Sequence, residues 1–528
     1  MLREAPCDAT IRTKERLKSL ILAEKMRNSW ILTITLLFIL ASCQSSSGSP
    51  TASTGTPGLS PVSRCGDGTC AGGENTATCP QDCPAVTFSG RIKTTTIHSE
   101  GQDIAVMVAS PQKARYTEGA GVVVIASPIF TETDGFITDP DLASLGLVQV
   151  SYLWPGKTDP GTRVKSSGTF DYGGEQSVNI LRDVIRFAAN RMADGNGRYI
   201  VSMTSVPPLV GEVGVYAFSD AGITAIRAFS LHGAQLQGLG YFIGREIPTV
   251  DTISSMELGH FDAAGQAVHN PFYVYPSGYS TTGLTLSYTN ARWDATFTSS
   301  YSAAAGRPYL DLDGNGRLGS GDFVFDGQIP RMFGKRYYSS ALTAALQANG
   351  VLSEDDWPAD LATPQEAAQA WQIRQVPGFF ADLQNDDILK NLKVMLVFAQ
   401  NEHAQVAQDK PHIHQLYQGL RFEARLWVRL NADRAYVESM YLNAGLASQE
   451  TGETPTPVAI LDFPDNPANT QPTDWTQIGT YAYPGDGQAG RLVPLAAVAE
   501  MADRLHAGIW DENLGQVLYI YPNPTPQP

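Results

Sequence analysis

The sequence predicts an α/β fold, with a mostly parallel sheet, helices on both faces and one large insertion. Three observations carry this expectation. Residues 121–126 and 145–152 are continuous apolar runs of strand length, which suits strands covered on both faces. Apolar residues then recur at Val178, Leu181, Ile185 and Ala188, the spacing of one helix face. A strand at 213–218 and a helix at 223–231 repeat that order, which is the signature of βαβ units.

The elements follow in order. Residues 104–108 read as a half-buried strand before the two apolar runs. A short strand at 239–243 follows the second helix. Residues 245–385 lack the parallel-strand pattern and read as an insertion, turn-rich and aromatic near 271–276. Within it, Thr363-Pro-Gln-Glu366 is a capping box with proline at the first helical position. The sheet pattern resumes at 393–399, followed by a helix near 414–423, a strand at 426–430 and a closing helix at about 492–505.

A chain of 528 residues with 43% hydrophobic and 17% charged residues can build a large core. Its net charge of −16 argues against a nucleic-acid partner, because phosphate binding needs a basic face. The N-terminus reads as an export signal over residues 1–42, with Met26 the expected true start. Arg27 precedes an apolar run at 30–40 that is too short to span a membrane stably. Leu40-Ala41-Ser42-Cys43 resembles a lipobox, which in lipoproteins implies cleavage before Cys43 and its lipidation. The expectation is an extracytoplasmic lipoprotein anchored to a membrane, with a flexible Ser/Thr/Gly/Pro linker over 43–64. Cys65, Cys70, Cys79 and Cys83 fall within residues 65–85 and read as two disulfides of unspecified pairing, in a segment too small to fold without staples. Zinc fits less well, because paired C-x-x-C arms are missing. The main domain runs over 86–528.

The strongest catalytic signal is Tyr216-Ala-Phe-Ser-Asp-Ala-Gly222 between a strand and a helix. Ala217 and Ala221 flank Ser219 two places either side, as a sharp strand-to-helix turn requires. This resembles the nucleophile elbow of the α/β-hydrolase family, with alanines in place of glycines, and the resemblance covers roughly 86–445. It implies Ser219 as nucleophile and oxyanion-hole amides from Ile129 or Phe130 and from Asp220. It also implies an acid after the 393–399 strand, where Glu402 stands, with Asp409 in reserve. The family's base follows the next strand, yet Asn431-Ala-Asp-Arg434 holds no histidine. His403, beside Glu402, is the substitute candidate.

Asp311-Leu-Asp-Gly-Asn-Gly-Arg-Leu-Gly-Ser-Gly-Asp322 places oxygens at loop positions 1, 3, 5 and 12 with glycine at 6. It resembles the calcium loop of EF-hand and dockerin-type repeats. The resemblance implies structural calcium held by Asp311, Asp313, Asn315, the Arg317 carbonyl and Asp322. The functional expectation is a lipid-anchored serine hydrolase of ester or peptide bonds. The alternative is a binding or scaffold lipoprotein that keeps the fold without the chemistry.

Overall fold

On β3 (Ala120–Ala126) every residue is buried, and successive side chains point to opposite faces. Val122 and Val124 enter one core, while Val123 and Ile125 enter another. A strand buried on both sides needs apolar layers above and below it. The computed structural model describes residues 90–130, 134–249, 255–262, 266–273, 286–298, 305–325, 329–383, 389–399, 402, 405–407, 410–433, 436–437, 439–440 and 488–510. The export segment, Cys43, the linker, Cys65, Cys70, Cys79, Cys83, His403 and Asp409 lie outside these residues.

The sheet opens with a hairpin, β1 (Arg91–Ser99) and β2 (Gln102–Ser110). Its two turn residues, Glu100 and Gly101, both take positive φ, which matches the twist of the flanking strands. β4 (Val148–Tyr152), β5 (Pro208–Phe218), β6 (Leu239–Arg245), β14 (Lys393–Val397) and β15 (Trp427–Leu430) complete it in the order β1-β2-β4-β3-β5-β6-β14-β15. Only β2 runs against the rest. This is the α/β-hydrolase-like, mostly parallel sheet that the sequence predicts. The apolar run at 145–152 divides, however. Leu142–Leu145 is a 3₁₀ turn closed by Gly146 at φ 79°, and only Val148–Tyr152 is strand.

Helices cover both faces. Helices α1 (Glu175–Ala188), α2 (Ala221–His232) and α5 (Pro411–Gln418) pack on the side of Val122 and Val124. On the other side Val493, Ala496, Ala497 and Met501 of α6 (Gln488–Ala507) close over Val123, Tyr216, Ile243 and Met395.

The inserted segment leaves the sheet layer after Thr249 and rejoins it at Val376, whose amide donates to the Thr249 carbonyl at 2.9 Å. Beyond that point Phe380, Leu383 and Leu389 belong to the main core. Between the two lie the short antiparallel pair β7 (Gly259–Phe261) and β8 (Ala267–His269). A three-stranded sheet follows, made of β9 (Ala291–Thr298), β10 (Ala305–Leu310) and β11 (Phe323–Val324) in the order β11-β10-β9. Another short pair is β12 (Arg331–Met332) with β13 (Lys335–Arg336), and helices α3 (Ser340–Ala348) and α4 (Pro364–Gln372) complete the insertion. The capping box at α4 forms as the sequence anticipates: the Thr363 hydroxyl accepts from the Glu366 amide, and the Glu366 carboxylate accepts from the Thr363 amide. The insertion keeps its own core, with Leu310, Phe323, Phe325, Tyr338 and Leu342 fully or nearly fully buried.

Candidate active site

Parallel strands deliver their carboxyl ends to one edge, where loops from several strands converge. The register pairs Ala126 of β3 with Ala217 of β5, Phe218 with Arg245 of β6, and Arg245 with Val397 of β14. The residues just after these strands therefore stand side by side.

Ser219 is the first residue past β5 and takes φ 54° before α2 begins at Ala221. A left-handed conformation costs a non-glycine residue on the order of 1–2 kcal/mol, so the surroundings must impose it. They do so through hydrogen bonds. The Ser219 amide donates to the Arg245 carbonyl at 2.8 Å, and the Ser219 carbonyl accepts from the Gly222 amide at 3.0 Å. Ala217 and Ala221 are fully buried. The tightest packing falls one residue beyond the small-residue pattern, at Gly222. A Cβ there would stand 2.3 Å from Ile247 Cδ1, and one at Gly244 would stand 2.1 Å from the same atom. Ile247 thus wedges between α2 and β6 and holds the turn sharp.

The amides of Ile129 and Phe130 converge on this turn, but their partner is the Asp220 carboxylate. Ile129 N donates to Oδ1 at 3.1 Å and Phe130 N to Oδ2 at 2.9 Å. Asp220 is 6% exposed; its bond to Ile129 is buried and that to Phe130 partly so. Both of the amides, Ile129 or Phe130, from which the family likeness draws one of its two oxyanion donors are thus engaged by the side chain next to Ser219.

Glu402, after β14, is fully buried together with Lys410 and His412. Its Oε1 lies 2.5 Å from His412 Nε2 and 4.0 Å from Lys410 Nζ. The histidine contact is short but not aligned as a hydrogen bond, and His412 Nδ1 has no hydrogen-bond partner among the described residues. Lys410 takes φ 43° at the start of α5 and donates from Nζ to the Gln405 carbonyl at 2.7 Å. His412 is the residue that sequence reasoning did not select. Its pairing depends on a helix folding back on the loop before it, and spacing alone carries no sign of that. His414, one turn into the same helix, is pushed down to about 4 by burial and is neutral at neutral pH.

The loop after β15 has other duties. Asn431, at φ 61°, donates its amide to the Leu396 carbonyl and accepts from the Phe398 amide through Oδ1. Asp433 accepts from Arg429 and donates its amide to Glu500 of α6. His506 lies at the amino edge of the sheet, stacked on Tyr116 at 3.8 Å and paired with Glu212 at 3.1 Å.

The insertion meets this edge at the β3 loop. Phe130 and Tyr172 pack on a cluster containing Met332, Tyr337 and Trp371, with Phe130 edge-on to Trp371 at 5.7 Å. Arg374 donates to the Asp171 carbonyl at 2.6 Å and Arg227 to the Gly173 carbonyl at 2.6 Å. Burial and the nearby Arg374 charge push the Arg227 guanidinium down to about 10. On the other side of the Ser219 turn, Ala126, Pro128, Asp139, Tyr216, Phe218 and Arg245 line a cavity of about 130 Å³.

The 311–322 loop joins β10 to β11. Asp311, Asp313 and Asp322 each bring a carboxylate oxygen within 4.8 Å of the others. Asn315 and Arg317 sit on the exposed side of the same loop, with the Asn315 Oδ1 accepting from the Arg317 amide at 2.7 Å.

No family model matches the chain, and no curated protein sequence does. Similar solved structures include an α/β serine hydrolase without a lid from Xanthomonas campestris, 17% identical over 30% of this chain and 62% of that one, with a TM-score of 0.21. The chain therefore spans less than two thirds of that protein. An esterase from the fungus Rhizomucor miehei is 10% identical over 64% of this chain and 73% of its own, with a TM-score of 0.32. A bacterial heroin esterase is 11% identical over 66% and 76%, also with a TM-score of 0.32.

Proposed function

We propose that this chain is a serine hydrolase of ester or peptide bonds with Ser219 as its nucleophile. The observation that carries the reading is the left-handed Ser219 at the tip of the β5–α2 turn, on the carboxyl edge of the sheet. A serine held there offers its hydroxyl to a carbonyl approaching from outside the sheet, with a helix N-terminus behind it that favours negative charge.

A serine hydroxyl needs a base to take its proton. His412 is the first candidate, because Glu402 lies against Nε2 while Nδ1 accepts no hydrogen bond among the described residues. His403, next to Glu402 in the chain, is the second candidate. In the first half-reaction Ser219 Oγ bonds to the carbonyl carbon, the histidine receives the proton, and the leaving alcohol or amine departs with it. Water then repeats the sequence on the acyl-serine. The Ile129 and Phe130 amides serve the oxyanion once the Asp220 carboxylate moves off them. From the export signal and Cys43 we place the enzyme outside the cytoplasm, anchored to a membrane by lipid.

A fluorophosphonate probe tests this. It should label the folded chain, and labelling should vanish in Ser219→Ala and fall by about a hundredfold or more in His412→Ala. If His403→Ala is the variant that loses labelling, the base is reassigned. One observation favours the second reading, a binding lipoprotein without chemistry: the Asp220 carboxylate already fills the oxyanion donors. Folded wild-type protein that takes no label, and still takes none as Asp220→Ala, would establish that reading instead.

A further inference from the structure

The insertion holds a site that is independent of the hydrolase reading. We propose that the β10–β11 loop binds a divalent cation of calcium size through Asp311, Asp313, Asp322, the Asn315 side-chain oxygen and the Arg317 carbonyl, and that this cation clamps the hairpin at the centre of the insertion's core.

Three anionic groups within 4.8 Å repel one another, and the loop amides that reach two of them, from Asn315 to Asp313 and from Leu312 and Gly319 to Asp322, carry no net charge to cancel that. The nearest guanidinium is that of Arg292, whose Nε stands 3.8 Å from Asp311 Oδ2 while its Nη1 donates to the Ala291 carbonyl. One half-exposed arginine does not balance three carboxylates. Independent of the cluster is the state of Asp311 itself. It is 2% exposed, its Oδ2 accepts from the Gly316 amide at 2.9 Å, and its Oδ1 accepts no hydrogen bond and is shut off from solvent. An ionised oxygen buried in that way is costly unless a cation completes it.

The same chain supplies a control. Asp194-Gly-Asn-Gly197 has a similar sequence, yet Asp194 accepts from Thr95 Oγ1, the Asn196 and Arg198 amides and Arg198 Nε. That carboxylate is satisfied by protein alone, whereas Asp311 is not.

The donors are all oxygen, which selects a hard ion, and a loop offering five or more of them suits calcium better than magnesium, which keeps its waters. Gly316, at φ 75°, makes the turn that brings its amide onto Asp311. The architecture differs from a helix-flanked calcium loop, because strands enter and leave. Among the described residues β10 and β11 pair through Tyr309 with Val324 and Leu310 with Phe323. Leu310 and Phe323 are core residues, so ordering the loop orders the core beneath it.

Tyr309 gives a direct readout. It is buried beside the cluster, and burial with the Asp311 and Asp322 charges pushes its phenol up. Terbium added to the full chain should show tyrosine-sensitised emission that calcium displaces, with half-saturation for calcium at about 0.1–1 mM. Calcium should raise the thermal unfolding midpoint by several degrees, and magnesium at equal concentration by much less. Asp313→Asn, at an exposed position that leaves the buried Asp311 intact, should weaken calcium at least tenfold with an unchanged far-ultraviolet spectrum. Tyr309→Phe should lose the emission and keep the thermal shift. Folded protein with neither emission nor shift overturns the site, as does an Asp313→Asn, Asp322→Asn pair that keeps both. A magnesium shift equal to that of calcium overturns the assignment of the ion.

Discussion

A carboxylate beside a nucleophile opposes the charge that builds on a tetrahedral oxygen, and the Asp220 carboxylate, next to Ser219 in the chain, occupies the Ile129 and Phe130 amides. If Ser219 is the nucleophile, Asp220→Ala should raise ester turnover about tenfold or more, because each freed donor is worth a large factor in rate. Stopped or continuous ester assays decide it, and a fall in turnover would make Asp220 a brace for the β3 loop. The turn that carries Ser219 was legible because a strand, a tight turn and a helix all mark themselves in local sequence. The direction of the Asp220 side chain was not legible, since it depends on a loop 90 residues earlier in the chain. The Glu402–His412 pairing was hidden for the same reason, because it forms only when α5 closes over the preceding loop.

The β5–α2 turn is an element whose sharpness comes from packing as well as from its own residues. Ile247 fills the space that a side chain at Gly222 would need, at 2.3 Å from a Cβ placed there. Gly222→Ala should therefore cost about 1–3 kcal/mol of stability through overpacking, measured by urea unfolding. Probe labelling at Ser219 should weaken along with it, and Ile247→Val in the same chain should restore part of both. A neutral Gly222→Ala would show that Ile247 yields easily and that hydrogen bonds alone hold the turn. Elements with a strong period were readable at this scale, such as β3, α1 and the capped α4. The 142–152 segment was less so, because an apolar run cannot show where Gly146 breaks it into a 3₁₀ turn and a strand.

Across the whole molecule, the second face of the sheet depends on α6, a helix far along the chain from the strands it covers. Asp503 fixes it there: Arg115 reaches the carboxylate with two nitrogens at 2.5 and 2.7 Å, and the Tyr116 and Tyr436 hydroxyls donate to it at 2.9 Å. Asp503→Ala takes the carboxylate from a buried guanidinium, leaving it the Leu145 carbonyl at 3.1 Å, and should destabilise the protein by about 3–5 kcal/mol, read from thermal or urea unfolding. A loss below about 1 kcal/mol would mean that water or another acid takes over. The alternation of helix and strand gave away the layered class, whereas this anchoring over 388 positions left no trace in either local stretch. The neck of the insertion has a further consequence. Among the described residues, the Val376 amide joins the Thr249 carbonyl by a backbone hydrogen bond, so the path out of the sheet layer and the path back lie side by side. Such a segment behaves as a cassette. Splicing at that one seam would cut no strand of the main sheet, so the lobe can be shortened or exchanged while the β5–α2 turn stays whole.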